Sequence, residues 1–328
     1  MCALPDEQGQ PLTLHVGVSI RERRIDKYLH GRFRNLSRRF IQDAIKSGDV
    51  KVNGKPVKCS FKLTHRDVVE FVMPEPPSKE IEPEDIPLDI LYEDDDLIIV
   101  NKAPDMIVHP ARGNKHGTLV NALAHYSEDL SSGLGEFRPG IVHRLDRNTT
   151  GVMVVTKHDT AQWKVARQFE LREVKKTYLA IVHGTPQLRA DRINAPLGVH
   201  PRVREKYAVR LEIGKEAVTF YEVIEAFRGF SLVRCKPQTG RTHQIRVHLS
   251  YIKHPIVADD MYGGKLVYPW QLADAEPTAE GPAIARCALH AHTIELAHPT
   301  TGQRVRFEAP LPEDMQTFLD LLRRYRKT

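Results

Sequence analysis

A short apolar run that directly follows a cluster of charged residues constrains the fold of this chain more than any other stretch. Residues 140–157 read GIVHRLDRNTTGVMVVTK. The run at 152–155 is apolar, mostly β-branched and preceded by glycine, which predicts a buried strand. Asp146 lies just before it, between Arg144 and Arg147. Neighbouring cations favour an ionised carboxylate, and a rigid strand fixes the direction in which it points. A plain surface ion pair in a loop is the alternative interpretation.

The longer string around Asp146 is far more specific than an ion pair. His-Arg-Leu-Asp-x-x-Thr-Thr-Gly, followed by a hydrophobic strand, closely resembles the signature of the RluA-type pseudouridine synthases. The resemblance implies that Asp146 is the catalytic residue and that His143 and Arg144 contact the substrate. It assigns Arg144 to holding the target nucleotide outside the RNA stack, because a base inside a helix cannot be reached. A contact to a backbone phosphate is the alternative role for Arg144.

Two further motifs resemble the same family. Tyr178 lies in the strand-like string KTYLA; a tyrosine is common in any half-buried strand, but the resemblance implies that this one lines the active site. The string TGRTHQIRVH at 239–248 resembles the third motif. It implies that Arg246 pairs with the catalytic aspartate and that Arg241 contacts the substrate. Leu289 matches the aliphatic position that packs at the family's active site.

The charge of the chain is unevenly distributed. The formal net charge is +6, yet residues 21–70 hold 14 Lys and Arg against 6 Asp and Glu, and the remainder holds 34 against 36. The basic excess therefore lies in an N-terminal segment. This asymmetry is typical of a nucleic-acid-binding module attached to another domain.

Residues 20–73 resemble the small αL-type RNA-binding module found in a ribosomal protein and in several RNA-modifying enzymes. The pattern predicts two helices, the second capped by Ser37, followed by a V-x-V-N-G hairpin. A solvated basic face is the alternative interpretation of its charge. The residues predicted to contact RNA phosphates are Arg24, Lys27, Arg38, Arg39, Lys51 and Lys55.

The domain organisation follows from these motifs and from a proline-rich, acidic stretch that cannot pack. We predict an N-terminal tail or strand at 1–19, the RNA-binding module at 20–73, a linker at 74–87 and a catalytic domain at 88–328. The resemblance implies an α+β fold. Its catalytic domain would carry a mixed, mostly antiparallel sheet, and the preceding module would be a small α/β unit.

Several local features of the catalytic domain are also predicted. Asp159 should cap a helix over 160–171 that turns Trp163, Val165, Ala166 and Phe169 inward. Thr242 should cap the helix that carries Arg246. Residues 269–283 are rich in Ala, Glu and Pro and predict a mobile loop.

The chemistry implied by the resemblance needs no cofactor. Isomerising uridine breaks the bond from C1′ to N1 and joins C1′ to C5, so nothing is oxidised and no group is donated. Asp146 could attack C1′ or remove a C2′ proton, and the sequence does not separate these routes. Arg246 would aim the carboxylate through a charge-assisted contact. Tyr178 would stack on the base or relay the proton lost from C5.

Three other classes of function are alternatives to this one. A glycoside hydrolase normally needs two carboxylates, and no second one stands in a comparable motif. His290 and His292 alternate on one strand, but no Glu or Cys is spaced to complete a metal site, so we predict none. A catalytically inactive RNA-binding or ribosome-assembly protein is the main alternative, and the joint presence of Asp146, Tyr178 and Arg246 argues against it.

The remaining sequence features bear on the compartment and the substrate. The four cysteines are scattered without a C-x-x-C pair, which suits a reducing cytoplasm. The N-terminal residues predict no secretory signal, and no apolar run approaches the roughly 20 residues that span a membrane. We therefore expect a cytoplasmic protein, and a monomer. The loop VHPARGN resembles the RluD-like branch of the family, which implies large-subunit ribosomal RNA as substrate without naming the uridines. The chain departs from the family in the variable pair Arg147-Asn148 and in Cys287, where many relatives have glutamine.

Overall fold

The computed structural model describes residues 11–17, 22–33, 38–72, 81–110, 114–127, 130 and 139–328. Ser37, the side chain of Arg39 and the first half of the predicted linker lie outside the described residues. The chain divides into two compact units, Met1–Lys79 and Glu80–Thr328.

The first unit contains two helices and two small antiparallel sheets. Strands β1, β6, β3 and β4 form one sheet in that order, and β2 pairs with β5. Its core is built from apolar residues at helical and strand spacing, such as Ile25, Leu29, Ile41 and Phe71. The elements are β1 Pro11–His15, β2 Arg23–Arg24, α1 Ile25–Arg32, α2 Arg38–Ser47, β3 Val50–Val52, β4 Lys55–Pro56, β5 Lys62–Leu63 and β6 Val68–Val72. The sheet therefore begins at residue 11, inside the segment predicted as a tail or strand.

The second unit is built on one large sheet. Its strands are β7 Ile90–Glu93, β8 Leu97–Lys102, β9 Thr150–Thr156, β10 Lys175–His183, β11 Ala190–Asn194, β12 Leu197–Val199, β13 Tyr207–Val209, β14 Val218–Phe227, β15 Phe230–Pro237, β16 Leu289–Ala297 and β17 Arg304–Glu308. Its α-helices are α3 Leu119–Tyr126, α4 Asp159–Glu170, α5 Gln244–Tyr251, α6 Pro269–Leu272 and α7 Glu313–Tyr325.

The nine-stranded sheet runs in the order β11-β14-β15-β10-β16-β9-β8-β7, and β17 pairs with β16. All these neighbours are antiparallel except β16 and β9, which run parallel. The predicted α+β class with a mixed, mostly antiparallel sheet is confirmed. The separate pair β12 and β13 forms part of the β-rich excursion between β11 and β14.

The glycine of the first motif is required where β9 meets β16. Gly151 has a φ of +112°, and a Cβ there would collide with the Ala291 carbonyl. This close approach lets the start of β9 pair with the start of β16. The turn that carries Asp146, just before β9, is thereby brought near Leu289, the first residue of β16.

Two expectations about helix ends and one about burial are wrong. His158, rather than Asp159, caps α4 through its side chain. Trp163 is 68% exposed, because Ala161, Val165 and the amphipathic Gln168 occupy the inward face. His243, rather than Thr242, is the N-cap of α5, and it adopts a left-handed conformation without a side-chain cap. The predicted loop at 269–283 contains the short helix α6.

The second half of the predicted linker packs against the large unit. Ile81 and Ile86 contact the hydrophobic cluster around β8 and β9. The Asn121 side chain donates to the Glu82 carbonyl over 2.8 Å, and Glu84 accepts from the Gly117 N–H. Two isoleucines among the prolines supply enough apolar surface to hold this segment on the domain.

No helix in the described ranges combines the length and the apolar character that crossing a membrane requires.

Candidate active site

A cleft of about 490 Å³ opens beside β10 in the large unit. Most of its wall comes from three stretches that are distant in sequence: 142–146, the start of β10, and 237–246; Thr149, Leu289 and residues between 169 and 174 complete it. These are the three stretches that carry the motifs identified from the sequence. The sheet order explains the meeting, because β16 joins β9 to β10 and β15 flanks β10 on the other side.

The Asp146 turn is anchored from within the protein. The Thr149 N–H donates to the Asp146 carbonyl over 3.1 Å. Lys102, which ends β8, is fully buried, and its ammonium donates to the carbonyls of Ala103, Met106 and Arg147 at 2.7–2.9 Å. Burial lowers the pKa of Lys102 to about 7, while the Asp146 charge acts in the opposite direction. Three acceptors match the three donors of an ammonium. Lys102 therefore ties the loop after β8 to the backbone just after Asp146.

The Asp146 carboxylate meets Arg246 in the cleft. Arg246 donates from Nη1 to Asp146 Oδ2 over 3.2 Å. The Asp146 side chain keeps 22% of its surface exposed, so a substrate can reach its other oxygen. The structure thus brings together the two residues whose pairing was predicted.

Asp259 holds Arg246 more firmly than Asp146 does. It accepts from Nε over 2.7 Å and from Nη2 over 2.8 Å, and its side chain is fully buried. Burial opposes the charge of the guanidinium, but the hydrogen bonds and charge of Asp259 outweigh it and raise the pKa of Arg246. Two parallel bonds fix the plane of the guanidinium and leave Nη1 for Asp146.

The sequence reasoning missed Asp259 as a site residue. Its thiol neighbour Cys287 lies 3.7 Å from Oδ2, and burial followed by the Asp259 charge raises the pKa of that thiol well above its usual range. The loop that carries Asp259 turns back tightly on itself, because a Cβ at Gly264 would collide with the Ile256 carbonyl. In the sequence Asp259 directly follows the apolar run 256–258, which marks an acid at the end of a packed segment but does not name its partner.

His243 is a second residue that the motif did not single out. Its Nε2 lies 3.8 Å from Asp146 Oδ1, and its Nδ1 lies 2.7 Å from the Tyr262 hydroxyl. The hydroxyl already accepts the Tyr207 N–H over 2.9 Å, so its own proton is free to go to Nδ1. Burial lowers the pKa of His243, although the Asp146 charge opposes this shift. A neutral ring with the proton on Nε2, directed at Asp146, fits these partners best.

Tyr178 lines the cleft from β10 and packs against both hydrophobic clusters of the large unit. Burial, and then the Asp146 charge, raise the pKa of its phenol. The hydroxyl is therefore protonated in the resting protein. Leu289 lines the cleft beside it and is buried at the start of β16.

His143 forms part of the wall. Its Nε2 accepts the Val154 N–H over 2.9 Å, and its ring stacks on Phe169 with centroids 4.8 Å apart. Burial, followed by the charge of Lys176, lowers the pKa of His143 to about 3. A neutral imidazole that accepts through Nε2 carries its proton on Nδ1, so this N–H is the polar group that His143 can offer to a substrate.

The two arginines nearest to Asp146 in sequence do not pair with it. Arg147 is exposed and donates to Asp105 over 2.6 Å. Arg144 is exposed, lines the cleft and makes no ion pair within the described ranges. Arg241 also lines the cleft, and its Nε donates to the Glu216 carbonyl. The cation beside the carboxylate comes from Arg246, which is close in space and distant in sequence.

In the small unit, two predicted phosphate contacts are engaged internally. Arg24 binds the buried Asp26 through Nε and Nη2, both at 3.0 Å, and Arg38 adds a bond of 2.8 Å. Burial would raise the pKa of Asp26, but the bonds from Arg24, Arg38 and Gln42 hold it well below its usual range. By contrast, Lys27, Lys51 and Lys55 are exposed and form no ion pair with any described residue.

One cluster in the described part of the chain has metal-ligand geometry: Asp94, Asp96 and His298. Their atoms already bind one another and the protein; Asp94 accepts from His298 over 2.9 Å, and Asp96 accepts from Thr300 over 2.9 Å. The cluster does not line the cleft. Both ring nitrogens of His290 have partners within the protein, since one meets the Thr150 hydroxyl and the other meets the Ala309 carbonyl.

Comparisons with known proteins match both units. A family model described as RNA pseudouridylate synthase matches residues 96–251, and one described as S4 domain matches residues 23–69. A protein of Chlorobaculum parvum named an uncharacterized RNA pseudouridine synthase is 42% identical over 319 residues, which cover 95% of this chain and 98% of that protein. The ribosomal large subunit pseudouridine synthase D of Xanthomonas campestris is 40% identical over 325 residues, covering 98% and 96%.

A solved structure shows the same fold. The human RNA pseudouridylate synthase domain containing 4 is 27% identical, with a TM-score of 0.56 over 72% of this chain and 93% of that one.

Proposed function

Because this chain belongs to the RNA pseudouridine synthase family, we propose that it isomerises specific uridines of large-subunit ribosomal RNA, with Asp146 as the catalytic residue. The names of relatives that share about two fifths of its sequence support that substrate. The carrying observation is the Asp146 carboxylate, which Arg246 holds through one oxygen while its side chain remains partly exposed.

The reaction uses groups that line the cleft. The C1′–N1 bond breaks, the freed base turns, and the C1′–C5 bond forms; C5 loses a proton and N1 gains one, so the atoms balance without a cofactor. Asp146 Oδ2 is engaged by Arg246, which leaves Oδ1 to attack C1′ or to take the C2′ proton. The His243 Nε2–H, 3.8 Å from Oδ1, can close on that oxygen while the cleft is empty.

Arg246 is the positioning group for this step. Asp259 fixes its guanidinium at two points. Nη1 therefore already points at Asp146, and the Arg246 side chain does not have to be ordered during the reaction. Preorganised charges of this kind act strongly in a site that excludes water.

Tyr178 provides a surface for the base. Its phenol is neutral because burial raises its pKa, so it enters the reaction as a hydrogen-bond donor and a stacking ring. Any relay of the C5 proton through this hydroxyl must release the phenol proton as the new one arrives.

The S4 unit supplies affinity for RNA. Lys27, Lys51 and Lys55 are free to contact phosphates, which position an RNA without reading its sequence. We also propose a cytoplasmic location and a monomer, since ribosomal RNA is the substrate and a single chain supplies every group named above.

The test is a map of pseudouridine across total RNA from cells with and without the gene. Loss should occur at one or a few uridines of large-subunit ribosomal RNA, and the wild-type gene should restore them. Asp146→Asn keeps the shape of the side chain but removes its charge; it should bind RNA and restore nothing.

Asp105→Asn is the matched control, because Asp105 is an exposed carboxylate that pairs with Arg147 one residue from Asp146. It should restore every site. An RNA map unchanged by loss of the gene would favour a binding or assembly role, and full rescue by Asp146→Asn would refute the catalytic assignment.

A further inference from the structure

A second groove, of about 770 Å³, adjoins the cleft in the large unit. Its walls come from β10, β14, β15, β16, β17 and the segment just before β10. The two share a rim whose members line both spaces: Arg172, Val174, Lys176, Pro237 and Gln238. The groove therefore offers a continuous path out of the cleft.

Most cations of this groove already have carboxylate partners. The pairs are Arg172 with Glu216 at 2.8 Å, Lys175 with Glu295 at 3.0 Å, Arg234 with Glu222 at 2.8 Å and Arg306 with Glu308 at 2.9 Å. The side chains of Lys176 and Lys236 differ, since neither ammonium makes an ion pair or a hydrogen bond in the described part of the chain. Lys236 is exposed to water, whereas Lys176 is partly buried.

The Lys176 ammonium lies at the rim itself. Its Nζ is 5.8 Å from the centre of the Phe169 ring, on which His143 also stacks. It is 4.0 Å from the point that a Cβ on Gly240 would occupy, which places it beside the turn of the third motif. Tyr178 follows two residues later on the same strand and lines the cleft.

An ammonium withdrawn from water without a partner is unfavourable, and burial lowers the pKa of Lys176 accordingly. The nearby Phe169 ring supplies only weak compensation at this distance. An anion at the rim would supply the missing partner. A uridine in the cleft remains joined to the strand on both sides, so phosphates must cross the rim with it.

We propose that Lys176 binds a phosphate of the RNA strand on one side of the target uridine, and that the second groove carries that strand away from the cleft. This inference rests on the proposed function. It makes Lys176 a substrate-binding residue that takes no part in the bond changes.

The experiment compares Lys176→Met with Lys175→Met on an RNA fragment that contains a uridine modified by the wild type. The adjacent Lys175 is the matched control, because it is exposed and paired with Glu295. Lys176→Met should raise KM about ten-fold and leave kcat within about two-fold, as expected for one lost charged hydrogen bond. Lys175→Met should change both by less than about two-fold. Lys176→Arg should recover most of the affinity.

Two further readouts separate binding from structure. The slope of log KM against log salt should fall by about one for Lys176→Met and stay unchanged for Lys175→Met. The melting temperature of Lys176→Met should equal or exceed that of the wild type, since an unpaired charge has been removed.

Neutral methylphosphonates then locate the contact. One phosphate at a time is replaced by a methylphosphonate. A replacement next to the target uridine should weaken RNA binding by the wild type, and the same replacement should not weaken binding by Lys176→Met. A loss confined to kcat, or equal behaviour of the two lysine variants, would overturn the inference while an active wild type still upholds the proposed function. A wild type that isomerises no uridine would refute the proposed function itself.

Discussion

Arg246 is held by three bonds, and two of them come from Asp259 rather than from the proposed catalytic residue. The motif predicted the Arg246–Asp146 pair because both residues stand in strings long enough to be recognised. Asp259 was not predicted as a partner, since nothing in the residues between it and Arg246 shows that the chain folds back to place a carboxylate there. Residues that approach only through the tertiary fold, such as His243 with Tyr262, escape pattern reasoning for the same reason.

Replacing Asp259 should therefore damage the site without touching the proposed catalytic carboxylate. Asp259→Asn leaves the Arg246 charge buried with a single anionic partner at 3.2 Å. We expect stability to fall by about 3 kcal/mol and kcat to fall about 100-fold, because the guanidinium loses its fixed plane. Thermal unfolding and single-turnover kinetics measure the two effects.

The neighbouring Asp260 provides the control for that variant. It is exposed, so Asp260→Asn should leave both stability and kcat near those of the wild type. Wild-type kcat in Asp259→Asn would mean that Asp146 alone can orient Arg246.

At the scale of elements, β9 is the strand on which the sequence was most informative. Its apolar, β-branched run predicted a buried strand, and every residue of β9 is buried. Its neighbours were less predictable, because the parallel pairing with β16 joins residues about 140 positions apart. Helix ends were the weakest predictions; the cap of α5 depends on a left-handed His243, which local preference does not anticipate.

The half-buried, neutral His143, which packs against β9, makes the stability of the fold sensitive to acid. His143 accepts the Val154 N–H, and its pKa is lowered to about 3, below the value of about 6.5 in an unfolded chain. Between these values the unfolded state binds more protons, so stability falls as the pH is lowered from 7 to 5. We expect His143 to contribute about 1–2 kcal/mol to that fall, measured by urea unfolding at both pH values.

His143→Gln tests this assignment, since an amide oxygen can accept the Val154 N–H but does not titrate. The variant should lose less stability between pH 7 and pH 5 than the wild type. His125→Gln, at an exposed position, should keep the wild-type dependence. Equal slopes in all three proteins would place the acid sensitivity elsewhere.

The loop that carries Asp146 depends on a residue from another strand. Lys102→Met would leave the carbonyls of Ala103, Met106 and Arg147 without their buried donor. We expect a loss of about 3 kcal/mol and at least about a ten-fold loss of kcat, because the turn after Asp146 loosens. Lys157→Met, which removes a surface pair with Glu93, should cost less than about 0.5 kcal/mol. If Lys102→Met matched the Lys157→Met control in stability and in kcat, the turn after Asp146 would hold without the Lys102 ammonium.

For the whole molecule, composition predicted the division of labour better than it predicted individual contacts. The basic excess in residues 21–70 pointed to a nucleic-acid-binding unit, and an S4 domain is found there. Two of its six candidate phosphate contacts, Arg24 and Arg38, also bind the buried Asp26. A count of charges cannot distinguish a cation that faces water from one that satisfies an internal carboxylate.

The three unpaired lysines of the small unit should account for much of the salt dependence of RNA binding. Changing Lys27, Lys51 and Lys55 together to Gln should raise KM and lower the slope of log KM against log salt by about two, with kcat unchanged. The control changes Lys46 and Lys62, which pair with Asp43 and Glu22, to Gln. If phosphate contacts matter, the triple variant loses far more affinity per charge than the control. If only the net charge of the unit matters, the two variants lose affinity in proportion to the charges removed, and the lysines act through a diffuse field rather than through contacts.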